Sequence, residues 1–273
     1  MARALFLQPC MSSLVPNAAE AIIASTWRGG SKVLAYRLYY WPGIQGRGEF
    51  VRLALEAAGA AWIDVGNDGE AGGVEAVQAL LKARDEVHPP FAPPVLVHGR
   101  VVVAQVAAIL QHLGPRLGLV APDANASLWT HQLQLTIADV VAEAHDTHHP
   151  VDMGDWYRNQ KPEALRRARV FREARMPKFL GWFESVLARN PKGPAHLVGA
   201  RLSYADLSLF QLVKGLRYAF PRAMARLEPG IPLVCAQAAR VHDLPRIAAY
   251  LASPRRLPFN EDGIFRHYPE LDG

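Results

Sequence analysis

The sequence predicts an α/β domain followed by an all-helical domain. Three observations lead there. Strand and helix signals alternate from residue 35 to 114, strand signals then vanish, and a Pro- and Gly-containing stretch, Pro115 to Pro122, lies between the two regimes. Val33–Trp41 is aromatic and aliphatic before a Pro-Gly turn and reads as a strand. Arg47–Gly59 carries apolar residues at Phe50, Val51, Leu53, Ala54, Leu55 and Ala57 with a glycine stop, an amphipathic helix. Ala61–Val65 is a second short strand, and Val74–Arg84 a helix with Val77, Leu80 and Leu81 inward. Val95–Val97 and Val101–Val103 flank His98-Gly99-Arg100 and form a hairpin. Gln105–Leu113 closes the series with a helix.

The resulting order, β-α-β-α-β-β-α over about eighty residues, is that of a thioredoxin-like domain. Beyond it, Ala124–His148, Pro162–Leu187, Ser203–Tyr218, Val234–Val241 and Pro245–Leu251 read as helices. The expected organisation is a leader at 1–34, an α/β domain at 35–114 and a helical domain at 115–273.

The 273 residues are half hydrophobic, enough for a substantial core. The net charge of +5 is uneven: residues 115–273 carry 21 Lys/Arg against 16 Asp/Glu, with much of the excess between Lys161 and Lys178. Without interleaved aromatics or a reader motif, this is a solvated helix face and nucleic acid is not an expected partner. No apolar run approaches the ~18 residues of a membrane span. Two cysteines, Cys10 and Cys235, fit a reducing, cytoplasmic setting. Residues 1–34 hold one acid and scattered Ser, Pro and Gly, and read as a disordered leader.

The chemistry centres on Leu38-Tyr39-Tyr40-Trp41-Pro42-Gly43 and Gly46-Arg47-Gly48-Glu49. A strand that ends in phenols runs into a helix whose first N–H groups are unpartnered, an arrangement suited to holding a thiolate. Alternation along the strand lets only one of Tyr39 and Tyr40 face the site. His145, His148 and His149 lie near a helix end; His145 and His149 share a face at i, i+4, but a pair without a third ligand is usually surface, so no metal is expected. Ser203 and Asp206 form a capping box with a folding role.

The tyrosine-bearing stretch, Pro93-Pro94-Val95-Leu96, and Leu197-Val198-Gly199 with Leu202-Ser203-Tyr204-Ala205-Asp206 together resemble the glutathione S-transferases, over roughly residues 35–255. The resemblance implies a tyrosine-type enzyme of the alpha, mu, pi or sigma kind. Tyr40 would place its hydroxyl on the glutathione sulfur. Trp41, Arg47, Pro93, Pro94 (with Pro94 cis), Gln105 and Val106 would hold the tripeptide as co-substrate, with no further cofactor. His145, Trp156 and Tyr157 would border the pocket for a hydrophobic electrophile. Detoxifying conjugation and a homodimer are implied in the same way. At position 106 the family usually has Ser or Thr, and the missing hydroxyl makes a non-enzymatic binding module the alternative; a glutathione-dependent isomerase differs only in its substrate.

Overall fold

The computed structural model describes residues 35–84 and 86–273; the expectation for 1–34, Cys10 included, lies outside them. Four strands, β1 (Tyr36–Tyr39), β2 (Trp62–Asp64), β3 (Val95–His98) and β4 (Val101–Ala104), form one mixed sheet in the order β2-β1-β3-β4. β1 and β2 are parallel, and the β1–β3 and β3–β4 pairs antiparallel. Helices α1 (Gly48–Ala58), α2 (Gly73–Lys82) and α3 (Val106–Leu117) complete the domain.

Strand alternation sorts the core into two layers. Leu38, Leu96, Val51, Leu55, Ile109 and Leu113 pack on the face covered by α1 and α3. Tyr39, Val95, Val97, Val77 and Leu80 pack on the face covered by α2. Gly59 ends α1 with φ 63°, the left-handed conformation that lets its N–H reach back to the last turn.

The second half is all helix: α4 (Ala124–His145), α5 (Lys161–Val170), α6 (Met176–Arg189), α7 (Tyr204–Ala219), α8 (Pro221–Leu227), α9 (Pro232–His242), α10 (Pro245–Leu251) and the short α11 (Pro269–Asp272). α7 is buried along nearly its whole length and packs against α1, α4 and α9. Its capping box is complete: the Ser203 N–H donates to Asp206 at 2.8 Å, and the Asp206 N–H to the Ser203 hydroxyl. Asp206 also accepts from the Leu197 N–H at 2.8 Å, which pins the preceding loop to the helix.

Three boundaries differ from the sequence reading. α3 runs through Pro115 to Leu117 and stops at Gly118, φ 68°, so the connection between the domains starts at Gly118 rather than Pro115. α4 ends at His145, three residues early, because the chain curls tightly through Thr147–His149. α5 and α6 are joined without a break by a π-helical segment, Phe171–Arg175, just ahead of Pro177. The wider turn accommodates a residue with no N–H to give. Along this stretch Arg166 and Arg169 are exposed, whereas Arg167 and Arg175 pair with Glu143 of α4.

The two domains share a buried polar joint. Arg52 and Glu49 on α1 are both fully buried and paired at 3.3 Å, and Arg52 also donates to Asp64 at 2.8 Å. Glu49 accepts from Tyr250 at 2.8 Å and from Arg256, both of the helical domain. Gln211 of α7 donates to Gln45 at 2.9 Å. Buried charges need opposite charges and hydrogen bonds such as these to be tolerated.

Candidate active site

Strand register decides where the chemistry gathers. Tyr39 pairs with Val95, and Val95 with Ala104. The next residue outward on each strand is therefore Tyr40, Pro94 and Gln105, and all three meet at one end of the sheet. The Pro93–Pro94 bond there is cis.

Tyr40 continues the alternation of β1 onto the α1 side, while Tyr39 is buried on the α2 side. The Tyr40 ring is 4% exposed. It lies across Gly46 and Gly48: a Cβ on Gly46 would collide with its oxygen, and one on Gly48 would come 2.7 Å from its ring. Glycine at both positions is what lets the ring settle at the head of α1. The Arg47 N–H donates to the Tyr40 oxygen at 2.8 Å. Burial raises the pKa of this phenol above 10, against the lowering effect of the Arg47 and Gly48 N–H groups and of the Arg47 and Arg52 charges. The hydroxyl stays protonated at neutral pH.

At the third strand end Gln105 has φ 67° and ψ 122°, the one left-handed non-glycine residue among those described. Such a conformation costs about 1–3 kcal/mol and tends to occur at functional sites. Gln105 caps α3 without a side-chain bond, leaving the first N–H groups of the helix to outside partners.

Next to these residues lies a cavity of about 340 Å³ between α1, α3 and α4. Arg47 and Phe50, Gln105 and Val106, and Ile137, Ala138 and Val141 are among its walls. The cavity thus joins the helix head that contacts Tyr40 to the α3 N-terminus and an apolar face of α4.

A protein-family model described as "Glutathione S-transferase, C-terminal domain" matches residues 145–254. Glutathione S-transferase P of Bos taurus is 29% identical over 231 residues, covering 84% of this chain and 98% of the relative. Among solved structures, a Pi-class glutathione S-transferase of Onchocerca volvulus aligns with a TM-score of 0.65 at 20% identity, over 84% of this chain and 99% of that one. Prostaglandin synthase D of Nilaparvata lugens aligns at 0.63 and 19%, over 82% and 100%. The fold is that of the glutathione S-transferases, and residues 145–254 match the family's C-terminal domain.

Within this fold, the residues singled out from sequence divide in two. Arg47, Gln105 and Val106 line the cavity. Tyr40, Pro93 and Pro94 stand behind them as buried residues of the same sheet end, and Trp41 is half-buried beside β1. The expected electrophile-lining trio is not part of this cavity. Trp156 is 68% exposed, with Arg158 stacked 5.0 Å from its ring. Tyr157 is buried by stacking on Tyr268 at 3.9 Å, and its hydroxyl donates to Glu270 at 3.1 Å. His145 faces two other histidines. The chain turns away after α4, and that turn carries Trp156 and Tyr157 toward the C-terminal segment.

The apolar wall supplied by α4 escaped the sequence reading. Gln134, Ile137, Ala138 and Val141 line it at helical spacing, a pattern visible in the sequence. What the spacing does not reveal is that this stripe, packed against the start of α3, also borders an open cavity.

Proposed function

We propose that the protein is a glutathione transferase that activates glutathione as a thiolate and adds it to a hydrophobic electrophile. The observation that carries this reading is the hydrogen bond from the Arg47 N–H to the Tyr40 oxygen. Because the oxygen is already accepting, the phenolic proton is left to donate, and the accepted bond makes it a stronger donor. A thiol of pKa about 8.5 is mostly protonated at neutral pH. A hydrogen bond to a charged group is worth about 1.5–3 kcal/mol, enough to lower that pKa by one to two units. Tyr40 would act as donor to the sulfur and never as a base, since burial keeps it neutral.

The N-terminus of α3 at Gln105 and Val106 suits the γ-glutamyl carboxylate, and the Pro93 carbonyl suits the backbone amide of the tripeptide. Phe50, Ile137 and Val141 offer the electrophile an apolar surface. Calorimetry with glutathione, paired with turnover of a generic aryl halide, tests the proposal. Heat with turnover supports it; no heat from the tripeptide ends it.

One observation favours the second reading, a binding module. Val106 puts a buried isopropyl group where the family usually has a hydroxyl. Retention on immobilised glutathione without turnover would select the module. A homodimer in the cytoplasm completes the proposal. Phe91, on the loop before Pro93, is 95% exposed, an apolar side chain that a second copy would cover. Sedimentation of the intact chain reads the oligomeric state directly.

A further inference from the structure

Three imidazoles meet where α4 ends. His145 is the last residue of the helix, and its carbonyl accepts from the N–H groups of both His148 at 3.2 Å and His149 at 3.3 Å. This curl turns the rings inward, with centroids 4.8 Å apart for His145–His148, 5.5 Å for His145–His149 and 4.8 Å for His148–His149. One ring nitrogen from each can be chosen so that all lie within 4.8 Å of one another. The third donor missing from the sequence reading is therefore His148, brought in by the turn.

The protonation pattern is legible from the partners. His148 Nε2 lies 2.8 Å from the Ile264 carbonyl, which only accepts, so Nε2 carries the proton and Nδ1 the lone pair. That Nδ1 is 2.5 Å from His149 Nδ1. A proton on His149 Nδ1 makes this a hydrogen bond; a metal ion, with bonds of about 2.0–2.1 Å, would take the same two nitrogens by spreading them apart. His148 also shows the outer contact typical of a ligating imidazole, its distal N–H fixed on a backbone carbonyl. Asp146 lies near His145, with Oδ1 3.8 Å from Nδ1, beyond hydrogen-bond distance.

We infer that His145, His148 and His149 form a binding site for a divalent first-row transition ion of the zinc, cobalt or nickel class. Three neutral imidazoles select these ions over magnesium or calcium, which take oxygen ligands. Asp152 and Asp155 add negative charge near His149, while Arg47 and Arg266 oppose a cation, so the nitrogen donors must carry the affinity. An ion here would tie the end of α4 to the segment around Ile264 and leave a coordination position for water.

The test uses tag-free full-length protein stripped with a chelator and titrated with zinc by calorimetry and with cobalt by visible spectroscopy. The expected result is one equivalent per chain, cobalt bands of a nitrogen-rich site, and a zinc-dependent rise in melting temperature. H145Q and H149Q should each weaken binding by about tenfold or more. H242Q, at an exposed histidine, should leave it unchanged, and circular dichroism verifies that each variant is folded. Absence of a stoichiometric ion, or affinity indifferent to both H145Q and H149Q, overturns the inference and leaves the short contact as a shared proton only.

Discussion

The Arg47 backbone N–H and the Tyr40 hydroxyl oxygen are 2.8 Å apart, and this bond couples the end of β1 to the head of α1. Either element alone is ordinary. Joined, they give a neutral, buried phenol whose oxygen is polarised by a helix N-terminus and whose proton is uncommitted. Arg47 then continues to the wall of the cavity, so the same residue serves both the donor and the ligand space.

Tyr40→Phe removes the donor and little volume. If the phenol stabilises a thiolate, the bound thiol's pKa should climb toward its free value. Conjugation should fall about ten- to a hundredfold near neutral pH, matching about 1.5–3 kcal/mol, and recover as pH rises above about 8.5. A pH–rate profile that merely scales down, with no shift of its midpoint, would assign Tyr40 a packing role.

Gly48→Ala probes the seat of the ring. The new methyl would sit 2.7 Å from the Tyr40 ring, closer than real contacts allow, so the ring must move off the Arg47 N–H. Overpacking of this kind costs about 1–3 kcal/mol. We expect lower thermal stability together with a loss of turnover approaching that of Tyr40→Phe. Gly69→Ala, with open space around the added methyl, is the matched control. Equal behaviour of the two variants would show that the ring has room to spare.

Much of this was legible in the sequence, for identifiable reasons. Period-two and period-3.6 patterns are local, and they placed α1 and the hairpin within a residue or two of their observed ends and β1 inside the expected Val33–Trp41. Strand alternation left only one of Tyr39 and Tyr40 to face the site, and the family resemblance favoured Tyr40. What local pattern does not contain is the path of the chain after a helix stops. The curl at Thr147–His149 withdrew Trp156 and Tyr157 from the cavity and delivered His148 as a third imidazole. The Glu49–Arg52 joint was equally hidden, because Tyr250 and Arg256, which partner Glu49, lie about two hundred residues downstream. α1 read as amphipathic from its apolar residues, and the helical domain buries Glu49 and Arg52 as well.

Val106→Ser restores the hydroxyl at the start of α3. A hydrogen bond to the tripeptide carboxylate should tighten glutathione binding by about ten- to a hundredfold, the equivalent of about 1.5–3 kcal/mol. The buried isopropyl group is lost at the same time, so the melting temperature should fall. Calorimetry reads the first effect and a thermal melt the second. Unchanged affinity would place the carboxylate away from the α3 N-terminus.

Glu143 carries the pH prediction. Burial acts to raise its pKa, yet hydrogen bonds and charge from Arg175, at 2.7 Å, and from Arg167 hold it below the ordinary carboxylate value. A carboxyl with a depressed folded-state pKa stabilises the fold above its unfolded value and loses that contribution as pH falls through the folded one. Stability should therefore decline as pH drops below about 4.5. Arg175→Gln removes the main partner, so the variant should begin less stable at neutral pH and lose less on acidification. Denaturant unfolding at a series of pH values measures both slopes. Parallel curves for the two proteins would mean that the α4 carboxylate does not depend on the π-helical arginine, and that the pair is a surface contact of no energetic consequence.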